Sequence, residues 1–441
     1  MKFLAILKDS FREAIDAKIL YVMIGLSLLV ILFLGSISYR PVPVEEEVRQ
    51  KMAQLTNRAR QRAMEVARLQ GSSVDVEPPR IDVRSFRQTD GAADKPWTGR
   101  YEFQLVFVFD KASDLALLRE HDKQLPPDRQ LNPEQIGSLV TGAVRVLDPR
   151  QTRAVETPAA SDRELVFTVT TAPRPMDVES WPHQPALFFG LLPLPSPFWW
   201  PRSAQVDFIM SGIVNRMGAG IAMLVSTIIT AFFIPNMLRK GTIDLLLVKP
   251  VHRSTLLLYK YVGGLTFMFL NTVVIVVGIW FVIGLRSGLW VNGFLLSVLV
   301  LTFEFAIYYA FSTVCAVLTR GPIVAILLTS VLWLVIFAVG GLYQQVEMQR
   351  KFGNPEDSWP SWLVSGIDTA HYVLPRIRDL DMLNEKLVLD SLPSLGADTE
   401  DHATVRKVFE SYKWGETLTV SFLFIAVMLG VSCWYFATRD Y

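Results

Sequence analysis

The stretch IVAILLTSVLWLVIFAVGGLY, residues 323–343, holds 21 positions without one charged side chain. A helix needs about 20 apolar residues to cross about 30 Å of hydrocarbon. A helix that is apolar on every side belongs in a membrane or in the core of a large protein, and this length favours the membrane. The stretch therefore predicts a membrane-spanning helix.

Five more runs of this kind predict a six-span membrane core. The predicted spans are 19–39, 209–234, 262–284, 290–318, 323–343 and 417–437. Within them the only acidic or basic residues are Arg216 and Glu304. The first run can also be read as a secretory signal peptide, but three acids lie in the 18 residues ahead of it, unlike the basic leader of a signal peptide.

The composition supports a mainly α-helical membrane protein. Hydrophobic residues make up 51% of the chain and charged residues 19%, whereas soluble proteins carry about 25% charged residues. The net charge of +1 gives no basic surplus for nucleic acid. Cys315 and Cys433 both lie in apolar runs and cannot form a disulfide framework or a zinc site.

The short loops predict the orientation of the spans. Eleven Lys and Arg residues lie in four short segments on one side: 1–18, 235–261, 319–322 and 438–441. The short loop 285–289 on the other side holds only Arg286. Because bases are enriched in cytoplasmic loops, both termini are predicted in the cytoplasm, and 40–208 and 344–416 outside it.

The two long outer segments are expected to fold differently. Residues 40–208 predict an extracytoplasmic α+β domain, with helices at 45–70, 115–122 and 133–140 and strands at 81–86, 101–109 and 165–170. Residues 190–201, rich in Pro, Phe and Trp, suit either the headgroup layer or packing within the domain. In 344–416, apolar spacing over 367–389 predicts an amphipathic helix on the membrane or on the outer domain.

Few residues carry a chemical signal. No G-x-x-x-x-G-K-[ST] phosphate loop, HExxH, CxxC or GxSxG occurs, so no ATP hydrolysis or other catalysis is expected on this chain. Glu304 lies in the middle of the fourth run, where a carboxylate either lines a translocation path or locks helices together. Arg216 is close enough to the end of its run for the side chain to reach water.

Residues 236–260, NMLRKGTIDLLLVKPVHRSTLLLYK, form a basic cytoplasmic loop. Thr242 can cap a short helix with an apolar face, and Lys249 before Pro250 ends it, because a residue before proline avoids the helical region. Such a face can lie on lipid or in a groove of a partner.

This loop resembles the cytoplasmic loop of type-2 ABC exporter permeases, where a coupling helix seats in a cleft of the ATPase subunit. The matching residues are Gly241, Thr242, Leu245, Leu246, Leu247, Lys249, Pro250, Arg253, Leu256 and Lys260. The pattern departs at Tyr259, where a small residue is usual, and at Arg239 and Lys240, where an acid is usual. Residues 1–18 are similar to the family's amphipathic elbow helix. The closest likeness is to permeases associated with copper-enzyme maturation and gliding motility.

The resemblance implies a multi-pass permease subunit of the bacterial cytoplasmic (inner) membrane, working as a homodimer or heterodimer. A separate ABC ATPase subunit would bind ATP and drive export, so this chain would need no cofactor or catalytic residue of its own. The alternative is a non-transporting ABC-type scaffold or mechanotransmitter whose outer domain binds envelope partners. A membrane enzyme is a third class, but no catalytic constellation supports it.

Overall fold

The computed structural model describes residues 19–70, 78–92, 95–124, 132–195, 198–230, 232–237, 252–352, 359–392 and 412–438. The chain forms two compact units. One is Ile37–Arg202, and the other joins Met1–Ser36 to Ser203–Tyr441. The predicted elbow helix at 1–18 and most of the basic loop lie outside the described residues.

The second unit is helical. Its described elements are α1 (Ile19–Gly35), α5 (Arg202–Asp207), a π-helix (Phe208–Gly218), α6 (Ala219–Thr230), α7 (Phe233–Met237), α8 (Arg253–Ser287), a 3₁₀ turn (Asn292–Leu296), α9 (Ser297–Thr319), α10 (Pro322–Phe352), α11 (Ser361–Val373), α12 (Ile377–Asp390) and α13 (Trp414–Thr438). Helix α5 spans the boundary between the two units.

Four helices of the described chain are long and apolar enough to cross a membrane: Arg253–Ser287, Asn292–Thr319, Pro322–Arg350 and Trp414–Thr438. They correspond to the last four predicted spans. Within the described residues, the first predicted span forms the 17-residue helix α1, which ends where the chain turns at Ser36, whose Oγ donates to the Phe33 carbonyl at 2.7 Å, and then enters a strand. The six-span count therefore stays a prediction.

The second predicted span, 209–234, is not one regular helix. It begins as a π-helix and is interrupted between α6 and α7. The sequence gives two physical reasons. Glycines at 212, 218 and 220 weaken the helix, and Pro235 cannot donate a backbone hydrogen bond.

Several helices extend past the predicted boundaries. Helix α8 begins at Arg253 rather than 262, because Leu256, Leu257 and Tyr261 are buried on one face and extend the apolar stripe. Helix α10 continues nine residues past 343, where Val346 is fully buried and packs with residues of α11.

The predicted amphipathic helix at 367–389 does not form as one helix. Pro375 divides the region into α11 and α12, since proline and the residue before it disfavour a continuous helix. The apolar face of α12 contacts helices of its own unit, where Leu380, Leu383 and Val388 are almost completely buried.

The Ile37–Arg202 unit contains both strands and helices. Its elements are β1 (Ser38–Pro41), α2 (Val44–Gln70), β2 (Arg80–Asp90), β3 (Arg100–Val108), α3 (Ala112–Gln124), α4 (Pro133–Ala143), β4 (Arg153–Thr157), β5 (Glu164–Thr171), β6 (Pro182–Leu187), β7 (Leu192–Pro193) and β8 (Trp200–Pro201). The six elements predicted here all form. Strand β4 and the short strands β1, β6, β7 and β8 were not predicted, because each shows too little alternation.

An antiparallel sheet in the order β2-β3-β5-β4 carries the core of this unit. Val48 and Met52 of α2 are fully buried against sheet residues that include Phe103 and Leu105. A smaller sheet, β1-β6-β7 with β8 beside β6, is tied to the start of α2 by a hydrogen bond of 3.1 Å from Trp181 Nε1 to the Val42 carbonyl.

Candidate functional site

The two ends of the basic loop lie in one apolar cluster. Ile234 and Met237 of α7 lie at its start, and Leu256 and Leu257 of α8 lie at its end; all four are buried. The other buried members of the cluster come from the ends of α9 and α13 and the start of α10: Cys315, Ala316, Val317, Ala325 and Phe436. The loop is therefore anchored at both ends at one end of the helical unit.

Most of the predicted coupling residues fall in the loop itself. Gly241, Thr242, Leu245, Leu246, Leu247, Lys249 and Pro250 lie outside the described residues. Arg253 is the first residue of α8, and His252 is its N-cap. Leu256 and Lys260, the last two matching positions, are buried in the same helix. The described residues thus include the two ends of the predicted coupling site, and its apolar face lies outside them.

Helix α8 is held to α9 just after the end of the basic loop. The Tyr261 hydroxyl donates to the Ala306 carbonyl at 2.8 Å, and its ring stacks on Tyr309 with centroids 5.1 Å apart. A side chain at Gly264 would place its Cβ 2.6 Å from the Tyr309 hydroxyl, so only glycine permits this approach. The start of α8 is therefore packed directly against α9.

Glu304 lies inside the helical unit and is only 2% exposed. Its side chain is hydrogen-bonded to Asp381 of α12. A hydrogen bond between two carboxyl groups needs a proton on one of them, because an ionised carboxylate only accepts. Among the described residues, the Oε1 atom of Glu304 has no hydrogen-bond partner.

Other polar contacts align α12 with α9. The Ser297 hydroxyl donates to Asn384 Oδ1 at 2.8 Å, and the Gly293 amide donates to Ser391 Oγ at 3.0 Å. The partners on the α12 side run from Ser391 through Asn384 to Asp381, while those on the α9 side run from Gly293 through Ser297 to Glu304. The two segments are therefore antiparallel. Helix α12 thus lies beside the first half of the fourth predicted span.

The pair also connects to α10. Arg378 Nη1 lies 3.7 Å from Asp381 Oδ2, and Arg378 Nε donates to Gln344 Oε1 at 3.1 Å. Polar side chains therefore join α9, α12 and α10 in sequence. Glu304 was predicted as a candidate from the sequence, but its partners were not.

A signal for those partners was present in the sequence. Asp381, Asn384 and Ser391 recur at spacings of three and seven, which places them on one face of α12. The apolar stripe of the same helix hid this second, polar stripe. Neither stripe alone shows that both of these faces of α12 are buried.

The other candidates contribute less. The side chain of Arg216 is not among those described. In the described part of the chain, no group of three or more His, Cys, Asp or Glu side chains is placed to hold a metal ion.

The aromatic segment before the π-helix is exposed on the α/β unit. Phe188 and Phe189 have positive φ angles of 51° and 58°, which bulky residues rarely adopt. Phe189 and Leu191 are 71% and 85% exposed. This strained turn therefore presents apolar side chains outward instead of packing them in the core of its unit.

A protein-family model described as "ABC-2 family transporter protein" matches residues 4–441. The match runs through both compact units, and so includes the α/β unit, to which the loop resemblance did not extend. A search of curated proteins finds no match.

Proposed function

Since this chain belongs to the ABC-2 family of transporter proteins and is a membrane component of an ABC transporter, we propose that it is the permease subunit of an exporter. In this proposal a separate ATPase chain binds the loop 235–261 and supplies the energy. Two observations support it: the sequence contains no phosphate-binding loop, and both ends of the basic loop are anchored in one cluster.

The anchored loop is the observation that carries the proposal. A docking element must pass force to the spans, so its ends must be fixed to them. Here the residues on both sides of the loop pack against α9 and α13. A loop serving only as a lipid contact would not need this connection.

We further propose six spans in a bacterial inner membrane, with cytoplasmic termini and a dimeric permease. Residues 40–208 would then lie outside the cytoplasm. The exposed aromatic turn at Phe189 supports a position of that turn in the headgroup layer, where aromatic side chains are enriched. Within the family, the loop resemblance supports the copper-maturation and gliding-motility subgroup.

Glu304 fits the locking role better than the path role in this conformation. Its carboxyl is buried and bonded to another helix, whereas a path-lining acid would face water. We propose that the Glu304–Asp381 pair holds α12 against α9 and is released during the transport cycle.

Leu246→Asp tests the docking proposal. A carboxylate entering an apolar groove adds a desolvation penalty, and interface anchors often contribute more than about 1 kcal/mol when truncated. The variant should insert normally, lose the co-purifying ATPase and lose transport-linked ATP turnover. Leu117→Asp, the same change at a 57% exposed leucine of α3, is the matched control. Wild-type ATPase recovery with Leu246→Asp would refute docking through this loop.

The orientation is tested with an impermeant thiol reagent in intact cells. With Cys315 and Cys433 replaced by serine, cysteines at Ser72 and Asp398 should react, and one at Thr255 should react only after permeabilisation. The reverse pattern would overturn the predicted orientation.

The second candidate function is a non-transporting scaffold or mechanotransmitter. The observation that favours it is the compact Ile37–Arg202 unit, large enough to bind an envelope partner. Release of substrate from loaded vesicles on ATP addition would support export. ATP turnover that responds to a bound envelope partner without release would support transmission.

A further inference from the structure

A narrow cleft lies at the break between α11 and α12. Part of its lining is apolar and consists of Ile336, Val339 and Gly340 of α10. The rest comes from α11, α12 and the break between them, and includes the cations Arg376 and Arg378.

Arg376 is the main cation of this cleft. Its side chain is only 9% exposed, and its guanidinium lies 5.1 Å from the ring centre of Tyr372. The nearest acid is Glu416, at 3.5 Å, whose side chain is 60% exposed. Among the described residues, the buried Arg376 Nε has no hydrogen-bond partner. A guanidinium carries five N–H donors, so this cation retains capacity to bind an anion.

The helix start adds positive potential. Arg376 is the N-cap of α12, and no side chain caps this end. The first turn of a helix carries a partial positive charge and favours an anion. The other two bases at the cleft, His371 and Arg378, face their own acids, Asp379 at 3.3 Å and Asp381 at 3.7 Å.

The position of the cleft along α10 indicates the kind of anion. Gly340 lies three residues before the end of the apolar run 323–343, so the cleft lies against the last turns of this predicted span. The same part of α10 exposes Leu334, Val335 and Phe337, by 60%, 40% and 62%. An occupant with an anionic head and long apolar tails satisfies both parts of the lining.

We infer that this cleft binds the headgroup phosphate of an anionic phospholipid, with the acyl chains along α10. Arg376 would donate to a phosphate oxygen from a planar fork that suits phosphate geometry. A quaternary ammonium would meet like charge from Arg376, so phosphatidylcholine should bind less well. The inference rests on the membrane location of α10 and not on transport.

The test uses the full-length chain in a neutral detergent, with thermal unfolding as the readout. Ligand bound only to the folded state raises the apparent stability. Dioleoyl phosphatidylglycerol should raise the midpoint at lower concentration than dioleoyl phosphatidylcholine. Arg376→Gln should raise the phosphatidylglycerol concentration for half-maximal stabilisation roughly tenfold, the loss typical of one charge-assisted hydrogen bond.

Lys413→Gln is the matched control, because Lys413 contacts the same Glu416 at 3.6 Å but does not line the cleft. If Arg376→Gln does not fold, Val339→Trp fills the cleft without changing charge and should weaken the response similarly. Equal responses of wild type to both lipids, or equal loss in Lys413→Gln, would overturn the inference. Full stabilisation by inorganic phosphate alone would also overturn it, in favour of a free-anion site.

Discussion

Breaking the bond between Glu304 and Asp381 should release α12 from α9. Glu304→Ala removes the hydrogen-bond partner of the Asp381 carboxyl, whose side chain is 20% exposed, which costs about 1–3 kcal/mol, and leaves a small cavity that costs about 1 kcal/mol more. Arg378, at 3.7 Å from Asp381, can compensate only in part. We therefore expect a local destabilisation of about 2–4 kcal/mol.

Glu304→Gln separates bonding from size and charge. The amide has nearly the same shape, and its N–H can donate to Asp381 without a shared proton. This variant should keep α12 docked, with a change below about 1 kcal/mol. In the proposed cycle it should nevertheless lower transport. The contact made by the amide does not depend on a shared proton, so loss of a proton cannot release α12.

Hydrogen exchange of full-length protein measures the opening of α12 directly. If exchange follows local opening, 2–4 kcal/mol corresponds to about 30-fold to 1000-fold faster exchange in α12 peptides. Leu299→Ala, at a 61% exposed position on α9, the helix that carries Glu304, is the control and should change the exchange of α12 peptides little. Equal α12 exchange in wild type and Glu304→Ala would refute the locking role. Unchanged transport in Glu304→Gln would refute release by proton loss.

Three further predictions concern packing and pH. Gly293→Ala would place a Cβ against the Leu387 carbonyl and Ser391 Oγ, so it should destabilise α12 by about 1–3 kcal/mol in the same exchange assay; Gly341→Ala, with nothing within 4 Å, is the control. Burial raises the pKa of Glu47 from 4.5 to about 7, so the folded state holds a proton that the unfolded state loses. The Glu47 contribution to the stability of the α/β unit should fall by about 3 kcal/mol between pH 4.5 and 7, measured as the difference in α2 exchange between wild type and Glu47→Gln. Burial lowers the pKa of His183 from 6.5 to about 4, so the His183 contribution should fall by about 3 kcal/mol as pH drops from 6.5 to 4 and should oppose that of Glu47; if β6 exchange in wild type and His183→Gln showed the same pH dependence, a neutral buried imidazole would be contradicted.

The long apolar helices could be predicted because one physical demand determines them. A span must avoid charge over about 20 residues, and α8, α9, α10 and α13 show this in the sequence. The irregular backbone of the second predicted span could not be predicted, because composition reports apolarity and not backbone geometry. Its glycines and Pro235 are compatible with a membrane location and still interrupt the helix.

The contacts of α12 could not be predicted from its own sequence. An amphipathic pattern shows that one face of a helix must be buried, but it does not identify the element that packs against it. Asp381 lies 77 positions after Glu304 in the sequence, and nothing local to either residue indicates the other. Only the folded chain shows that a helix from the segment after α10 lies beside the fourth predicted span.

Helix α9 connects the two parts of the candidate site. Its last turns, at Cys315 to Val317, belong to the cluster that anchors the basic loop, and its second turn carries Glu304. The two positions are 11–13 residues apart on one helix, about 16–20 Å at 1.5 Å per residue. Proximity alone does not establish coupling, which requires an element with two discrete arrangements. In the proposed cycle the Glu304–Asp381 pair supplies such an element, because two carboxyl groups attract with a shared proton and repel without one. A shift of α9 driven from the loop would therefore change the stability of this pair, and loss of its proton would in turn favour movement of α9.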